Sequence, residues 1–448
     1  MKRTLIYNAT LVNEGQAEPA SLLIEDGTIC QILKPGQPLP EDCDERVDAT
    51  GCYLLPGVID EHVHFREPGM THKADIWSES RAAAAGGVTS IMDMPNNNPP
   101  TVTLEALEQK FTLLQRTCIV NHSCYFGATN SNYTDFARLD AKRVCGIKLF
   151  MGSSTGNMLV DKKTSLQHIF PGTDLLIAAH CEDSRLIQSN MQKYKEQYKE
   201  AEEVPVSKHC NIRSAEACYR SSRLAVQLAR ESGARLHLLH LTTERELALL
   251  SPEPLDNKRI TAEACVAHLL FSAKDYKRMG ARIKCNPSVK RERDRNALRR
   301  AVNAGLIDTI ATDHAPHLLS EKAGGALKAA SGMPMVQFSL VSMLELADEG
   351  VFSLPTVVEK MCHAPARLYR ISQRGYLRPG YRADLVLVKR GEPWTVTAGD
   401  ILSKCGWSPL EGHTFSWRVL RTWVNGHTVY QNGKVDKDYR GEPLLFER

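Results

Sequence analysis

Leu54-Leu55-Pro56-Gly57-Val58-Ile59-Asp60-Glu61-His62-Val63-His64-Phe65-Arg66-Glu67-Pro68-Gly69 runs from an apolar stretch into two histidines and an arginine at alternate positions, then stops at Pro-Gly. If the run is a strand, His62, His64 and Arg66 leave on one face. Two imidazoles side by side at a strand end bind a divalent transition metal, and a guanidinium one step further out grips a carboxylate. The plainer account is a buried strand with two hydrogen-bonded histidines. The apolar lead-in, the Pro-Gly exit and the arginine weigh against it.

Runs of the same kind recur along the chain. Strands are expected near 56–64, 88–94, 119–125, 144–149, 174–180, 235–240, 259–264 and 307–313. Helix patterns lie between them, such as Asp75 to Ala85, closed by Gly86-Gly87, and Ser214 to Glu231, closed by Gly233. Eight strands alternating with helices predict an α/β chain with a (β/α)8 TIM-type barrel. The two ends differ in character, with short strands and hairpin signals at Asp26-Gly27 and Asn425-Gly426. They are expected to meet in a small β-sandwich domain of residues 1–54 and 371–448, leaving residues 55–370 to the barrel. The charged runs Lys193 to Glu203 and Lys290 to Arg295 read as solvated helix faces.

Composition removes several function classes. The 448 residues are 42% hydrophobic and 24% charged with a net charge of +4, which gives no electrostatic support for a nucleic-acid or membrane-surface partner. The N-terminal residues lack an apolar core long enough for a signal peptide, and no later stretch reaches membrane-spanning length, so a cytoplasmic location is expected. Thirteen cysteines with no Cys-x-x-Cys pair suit free thiols in a reducing compartment. Cys181, beside a histidine singled out below, reads as packing.

Barrel enzymes place their chemistry at the C-terminal ends of strands, so the residues that end the apolar runs are the candidates. They are His62 and His64, Lys148 after Val144-Cys-Gly-Ile, His180 after Leu175-Leu-Ile-Ala-Ala, His240 after Leu236-His-Leu-Leu, and Asp313 after Asp308-Thr-Ile-Ala-Thr. Strand parity sends Leu238 and His240 inward and makes His237 a helix-facing residue. Four histidines, a lysine and an aspartate at one mouth suit a site with two metal ions. A lysine ammonium has no lone pair for a cation. Lys148 therefore either pairs with Asp313 or reacts with carbon dioxide to give a carbamate whose two oxygens bridge both metals. Imidazole and oxygen ligands make zinc the first choice and leave manganese and cobalt open. Such a pair would activate water for amide hydrolysis, with Asp313 as proton carrier or as a structural ligand.

The chain resembles the cyclic amidohydrolases of the amidohydrolase superfamily, and among them the long-form dihydroorotase family. The resemblance is carried by the opening stretch, Thr71-His-Lys73, Met94-Pro-Asn-Asn-Asn-Pro-Pro100, Gly146-Ile-Lys-Leu-Phe150, Ala179-His-Cys-Glu182, Ile310-Ala-Thr-Asp-His-Ala-Pro-His317 and Gly375-Tyr-Leu-Arg-Pro-Gly-Tyr-Arg-Ala-Asp-Leu-Val386. It implies that His62, His64, His180 and His240 are zinc ligands, that Lys148 is the carbamylated bridge between two Zn2+ ions, and that Asp313 is the catalytic aspartate touching a metal. It also implies that Arg66, Asn96 and His317 hold a substrate carboxylate, and that Asn286 contacts a pyrimidine ring. Each has a plain alternative: Arg66 paired with Glu67, Asn96 capping its turn, His317 on a surface loop.

The implied activity is reversible hydrolysis of the small molecule L-dihydroorotate to N-carbamoyl-L-aspartate in pyrimidine synthesis, by a protein whose relatives are usually homodimers or tetramers. Three departures bear on the substrate: Lys148-Leu-Phe-Met-Gly-Ser-Ser154 in place of an aspartate-rich segment, Lys290 where arginine is usual, and no glutamate in Ser331 to Gln337. Allantoinase is the nearest rival, followed by hydantoinase or dihydropyrimidinase. Arg66 and His317 discriminate among them, because allantoin has no carboxylate to bind. A catalytically silent scaffold is the reading from another class, and the presence of all six ligand positions speaks against it.

Overall fold

The computed structural model of the protein describes residues 2–152 and 158–448. Eight parallel strands form the centre: β1 (Val58–Val63), β2 (Val88–Asp93), β3 (Asn121–Cys124), β4 (Ile147–Phe150), β5 (Ile177–His180), β6 (Leu236–Leu238), β7 (Ile260–Cys265) and β8 (Thr309–Ala311). Phe126–Gly127 continues β3 to its pairing with β4. The ring closes just beyond β8, where the His64 amide donates to the His314 carbonyl at 2.8 Å. Every residue of β1 and β2 is buried, as expected of parallel strands covered on both faces. The eight expected strands are all present, and the chain is a (β/α)8 barrel with a separate sheet built from its two ends.

The helices start and stop where the sequence marks them. Helix Ile76–Ala85 begins at Asp75, whose carboxylate accepts from the Ser78 amide at 2.8 Å. Helix Ala215–Ser232 is capped by the Ser214 hydroxyl and ends at Gly233, whose φ of 73° is the left-handed conformation glycine adopts without strain. Outside the barrel, Leu236 and Leu238 share an apolar layer with Val226 and Ala229 of that helix. Inside it, Ile59, Met92, Tyr125, Leu176 and Leu239 meet Tyr369 and Phe446. Helix Ala364–Tyr369 and the residues around Phe446 thus seal the floor, and the polar strand ends collect at the opposite mouth.

The N- and C-terminal strands form one nine-stranded sheet. Its apolar interior brings Ile6, Leu22 and Ile24 against Leu385, Leu387 and Trp423. Strand Tyr53–Pro56 lies between the two halves, parallel to Arg3–Asn13 and antiparallel to Leu385–Thr395. Only Gly57 separates it from β1, and a Cβ there would lie 2.1 Å from Thr89 Oγ1. Both hairpins turn on two positive-φ residues, Asp26-Gly27 (45°, 79°) and Asn425-Gly426 (50°, 74°), the geometry that matches strand twist.

Two charged runs differ from expectation. Helix Ser184–Gln197 ends midway through the Lys193 to Glu203 run, and the rest is turn. Lys290 is not on a solvated face: it is buried, with its ammonium donating to the Ser288 carbonyl at 3.0 Å and hydroxyl at 2.9 Å. The helix begins only at Glu292. All thirteen cysteines are free thiols, and among the described residues no helix is long and apolar enough to cross a membrane.

Candidate active site

All ten residues singled out in the sequence line one cavity of about 480 Å3 at the C-terminal ends of the barrel strands. Asp313 Oδ1 lies 3.1 Å from His64 Nε2 and 3.3 Å from His62 Nε2. His180 Nδ1 faces His240 Nε2 at 2.9 Å, and the His62 and His240 ring centroids are 5.3 Å apart. Lys148 is fully buried, with its Nζ 4.7 Å from the Phe150 ring centroid. Three of these residues sit in left-handed backbone at strand exits: Arg66 (φ 66°), His240 (39°) and Asp313 (49°). Non-glycine residues held there cost about 1–3 kcal/mol each, and such strain gathers where side chains must be aimed.

A layer of carboxylates and an amide orients the rings. His62 Nδ1 is 2.8 Å from Glu263 Oε1, His180 Nε2 is 3.0 Å from Glu182 Oε2, and His64 Nδ1 is 2.6 Å from Asn96 Oδ1. Glu182 also pairs with Arg213. Burial pushes the His64 imidazole down to about 4 and holds His180 and His240 below the ordinary histidine range, so these rings are neutral near pH 7 and offer lone pairs. Burial also pushes the Lys148 ammonium down to about 8. Burial alone would raise the Asp313 carboxyl. Instead His62, His64 and Lys148 beside it outweigh burial and keep it ionised, well below the usual carboxylate range.

This donor set fits two divalent cations. His62, His64 and Asp313 converge within 4.8 Å of one another, while His180 and His240 present facing ring nitrogens. The buried partners of His62 and His180 are carboxylates, the kind of group that orients imidazoles in metal sites.

The opposite wall is cationic. Arg66 Nη2 is 3.0 Å from His317 Nε2, and its Nε donates to the Pro316 carbonyl at 3.1 Å. Arg66 therefore does not pair with Glu67, whose carboxylate accepts the Ile76 amide. Asn96 is occupied with His64, and Asn286 Oδ1 lies 3.1 Å from His209 Nε2. Ser153 and Ser154, in the segment compared above, lie outside the described residues.

Sequence reasoning missed Glu263, Glu182 and Lys73. Glu263 is a lone carboxylate inside the apolar run Ile260–Cys265, and Glu182 ends the Ala-His-Cys-Glu motif; both were visible as anomalies. The parity of His237 was read wrongly. It is fully buried with its Nδ1 2.9 Å from Thr261 Oγ1, it packs on Tyr369 inside the barrel, and Leu236 and Leu238 take the helix side. His240 reaches the mouth because its left-handed backbone breaks the alternation after Leu239.

A (β/α)8 barrel whose mouth gathers four imidazoles, a buried lysine and a carboxylate suits a hydrolase that could hold metal. The chain belongs to the amidohydrolase family, whose family model matches residues 53–429. It is 32% identical to the allantoinase of Bacillus velezensis over 436 residues, 96% of this chain and 94% of that protein. It is 33% identical to the dihydroorotase of Methanosarcina acetivorans over 452 aligned residues, 98% of this chain and 94% of that one. Its fold superposes on the L-hydantoinase (dihydropyrimidinase) of Arthrobacter aurescens with a TM-score of 0.92 at 26% identity, covering 99% and 100% of the two chains. The protein is a hydrolase of the cyclic amidohydrolase type.

Proposed function

We propose that the protein is a dihydroorotase, a zinc-dependent enzyme of the cytoplasm that interconverts L-dihydroorotate and N-carbamoyl-L-aspartate in pyrimidine synthesis. The observation that carries this reading is the charge on the cavity wall. Among the described lining residues, Lys73 pairs with Glu321, Arg213 pairs with Glu182, and the one lining carboxylate, Asp313, lies against His62 and His64, whereas Arg66 meets the Pro316 carbonyl and His317 rather than a carboxylate. A ring acid gives the Arg66 guanidinium a carboxylate partner, whereas a neutral ureide does not.

Two zinc ions held by His62, His64, His180, His240, Asp313 and carbamylated Lys148 would supply Lewis acidity and an activated water. Arg66 and His317 grip the substrate carboxylate, and Asn286 contacts the ring. Asn96 holds His64 in place and adds an amide to the carboxylate pocket. Asp313 accepts a proton from the attacking water on a carboxylate oxygen and returns it to the departing ring nitrogen.

Allantoinase is the second reading, supported by the 32% identity over 96% of the chain to a protein of that name. The deciding experiment compares turnover of L-dihydroorotate, allantoin and hydantoin by the zinc-reconstituted protein, with Asp313→Ala as the blank. Turnover of dihydroorotate alone supports the proposal; preference for allantoin overturns it and leaves the chemistry standing.

A further inference from the structure

We propose that Lys73 is a positioning residue that fixes the tautomer of His317 and thereby builds, with Arg66, a two-donor socket for the substrate carboxylate; this rests on the anionic-substrate reading above. Lys73 lies in the loop after β1, is buried, and lines the cavity. Its Nζ is 3.1 Å from His317 Nδ1 and 3.0 Å from Glu321 Oε1. An ammonium only donates, so Nδ1 is the acceptor and the hydrogen of the neutral ring resides on Nε2. The competing partner for Nδ1 is Glu321 Oε2, which stands farther off at 3.5 Å and already accepts the Leu318 amide at 2.7 Å.

With the hydrogen on Nε2, that nitrogen donates to the Ser331 carbonyl at 3.1 Å. Arg66 Nη2, 3.0 Å away, is also only a donor. The single ring hydrogen is then committed to Ser331 and Arg66 Nη2 faces a second donor in place of an acceptor; a carboxylate oxygen resolves the arrangement by accepting from Arg66 and taking the Nε2 hydrogen in place of the Ser331 carbonyl. The guanidinium keeps its direction meanwhile, because Arg66 Nε stays on the Pro316 carbonyl. The ring remains neutral in this setting: burial, then Arg66 and Lys73 on its two sides, push it down to about 2.

Loss of the ammonium reverses the logic. The ring hydrogen moves to Nδ1, facing Glu321, and Nε2 becomes an acceptor for Arg66. Socket and guanidinium then satisfy one another, and the substrate must break that contact to bind. The chemistry at Asp313 is untouched, so the effect falls on substrate binding.

The test has two arms on the zinc-loaded full chain. In the first, Lys73→Met raises KM for L-dihydroorotate about tenfold, the scale of one charge-assisted hydrogen bond, with kcat within about twofold, and Lys73→Arg restores most of the loss. In the second, nitrogen-15 NMR of His317, assigned by difference against His317→Gln, shows a pyridine-like Nδ1 and a pyrrole-like Nε2 in the wild type and the reverse in Lys73→Met. An unchanged KM, a parallel fall in kcat, or a wild-type ring with its hydrogen on Nδ1 overturns the proposal. Once assigned against His317→Gln, the wild-type spectrum decides the tautomer even if no Lys73 variant folds. A wild type that does not turn over L-dihydroorotate sinks the substrate reading instead, and the spectrum still judges Lys73 separately.

Discussion

Glu263 joins two of the site's histidines through a single oxygen: its Oε1 lies 2.8 Å from His62 Nδ1 and accepts the His240 amide at 2.9 Å. One carboxylate thereby sets the ring orientation of β1's histidine and the backbone of the exit from β6. Glu263→Ala should lower metal affinity by roughly 10–100-fold, the usual effect of removing such a partner. Metal content after dialysis against a weak chelator measures it, and wild-type retention of metal would refute the role.

Lys148 carries a distinct chemical expectation. Burial brings its ammonium down to about 8, so the neutral amine that reacts with carbon dioxide is accessible near neutral pH. Lys148→Ala should lose activity, and added short carboxylic acids should restore part of it by supplying the missing oxygens. Full activity without additive would remove the carbamate from the scheme.

The junction between the terminal sheet and the barrel depends on Asp384. It is buried, pairs with Arg374, and accepts from Asn121 Nδ2 at 3.1 Å and from the Asn425 amide at 2.8 Å. Asp384→Ala leaves a buried guanidinium with part of its compensation gone, at a cost of about 3–5 kcal/mol. Urea unfolding reads this directly; a loss below about 1 kcal/mol would show that the network is dispensable.

His122 on β3 sets a pH window. Burial is the main cause that pushes its imidazole from 6.5 down to about 4. As pH falls through 6.5 the unfolded chain takes a proton, and the folded chain does so only near 4. Stability from the neutral ring is therefore whole above about 6.5 and is lost between there and about 4, by up to about 3 kcal/mol. His122→Gln should flatten that limb of the unfolding free energy; equal slopes in mutant and wild type would contradict the assignment.

The barrel was legible because its signals are local. Asp75 and Ser214 before helices, Gly86 and Gly233 after them, and apolar runs of strand length each state their own structure within a few residues. The histidines at strand exits were legible for the same reason. Glu263 was not singled out, because its meaning lies in His62, 201 positions away. His237 was misplaced because counting by alternation assumes extended backbone, and His240 at φ 39° ends that regime. Lys290 looked solvated as part of a charged run, yet Ser288 two residues earlier takes its ammonium inside.

Strand Tyr53–Pro56 is flanked on one edge by Arg3–Asn13 and on the other by Leu385–Thr395. On the ribosome these neighbours arrive at very different times. The first half of the sheet can assemble early, but its open edge waits until synthesis has passed Thr395, a delay on the order of tens of seconds at 5–20 residues per second. For that interval an apolar strand edge that leads straight into the His62 and His64 stretch is exposed to other nascent chains. Yield of folded enzyme should thus be governed by how fast the message between Pro56 and Thr395 is read.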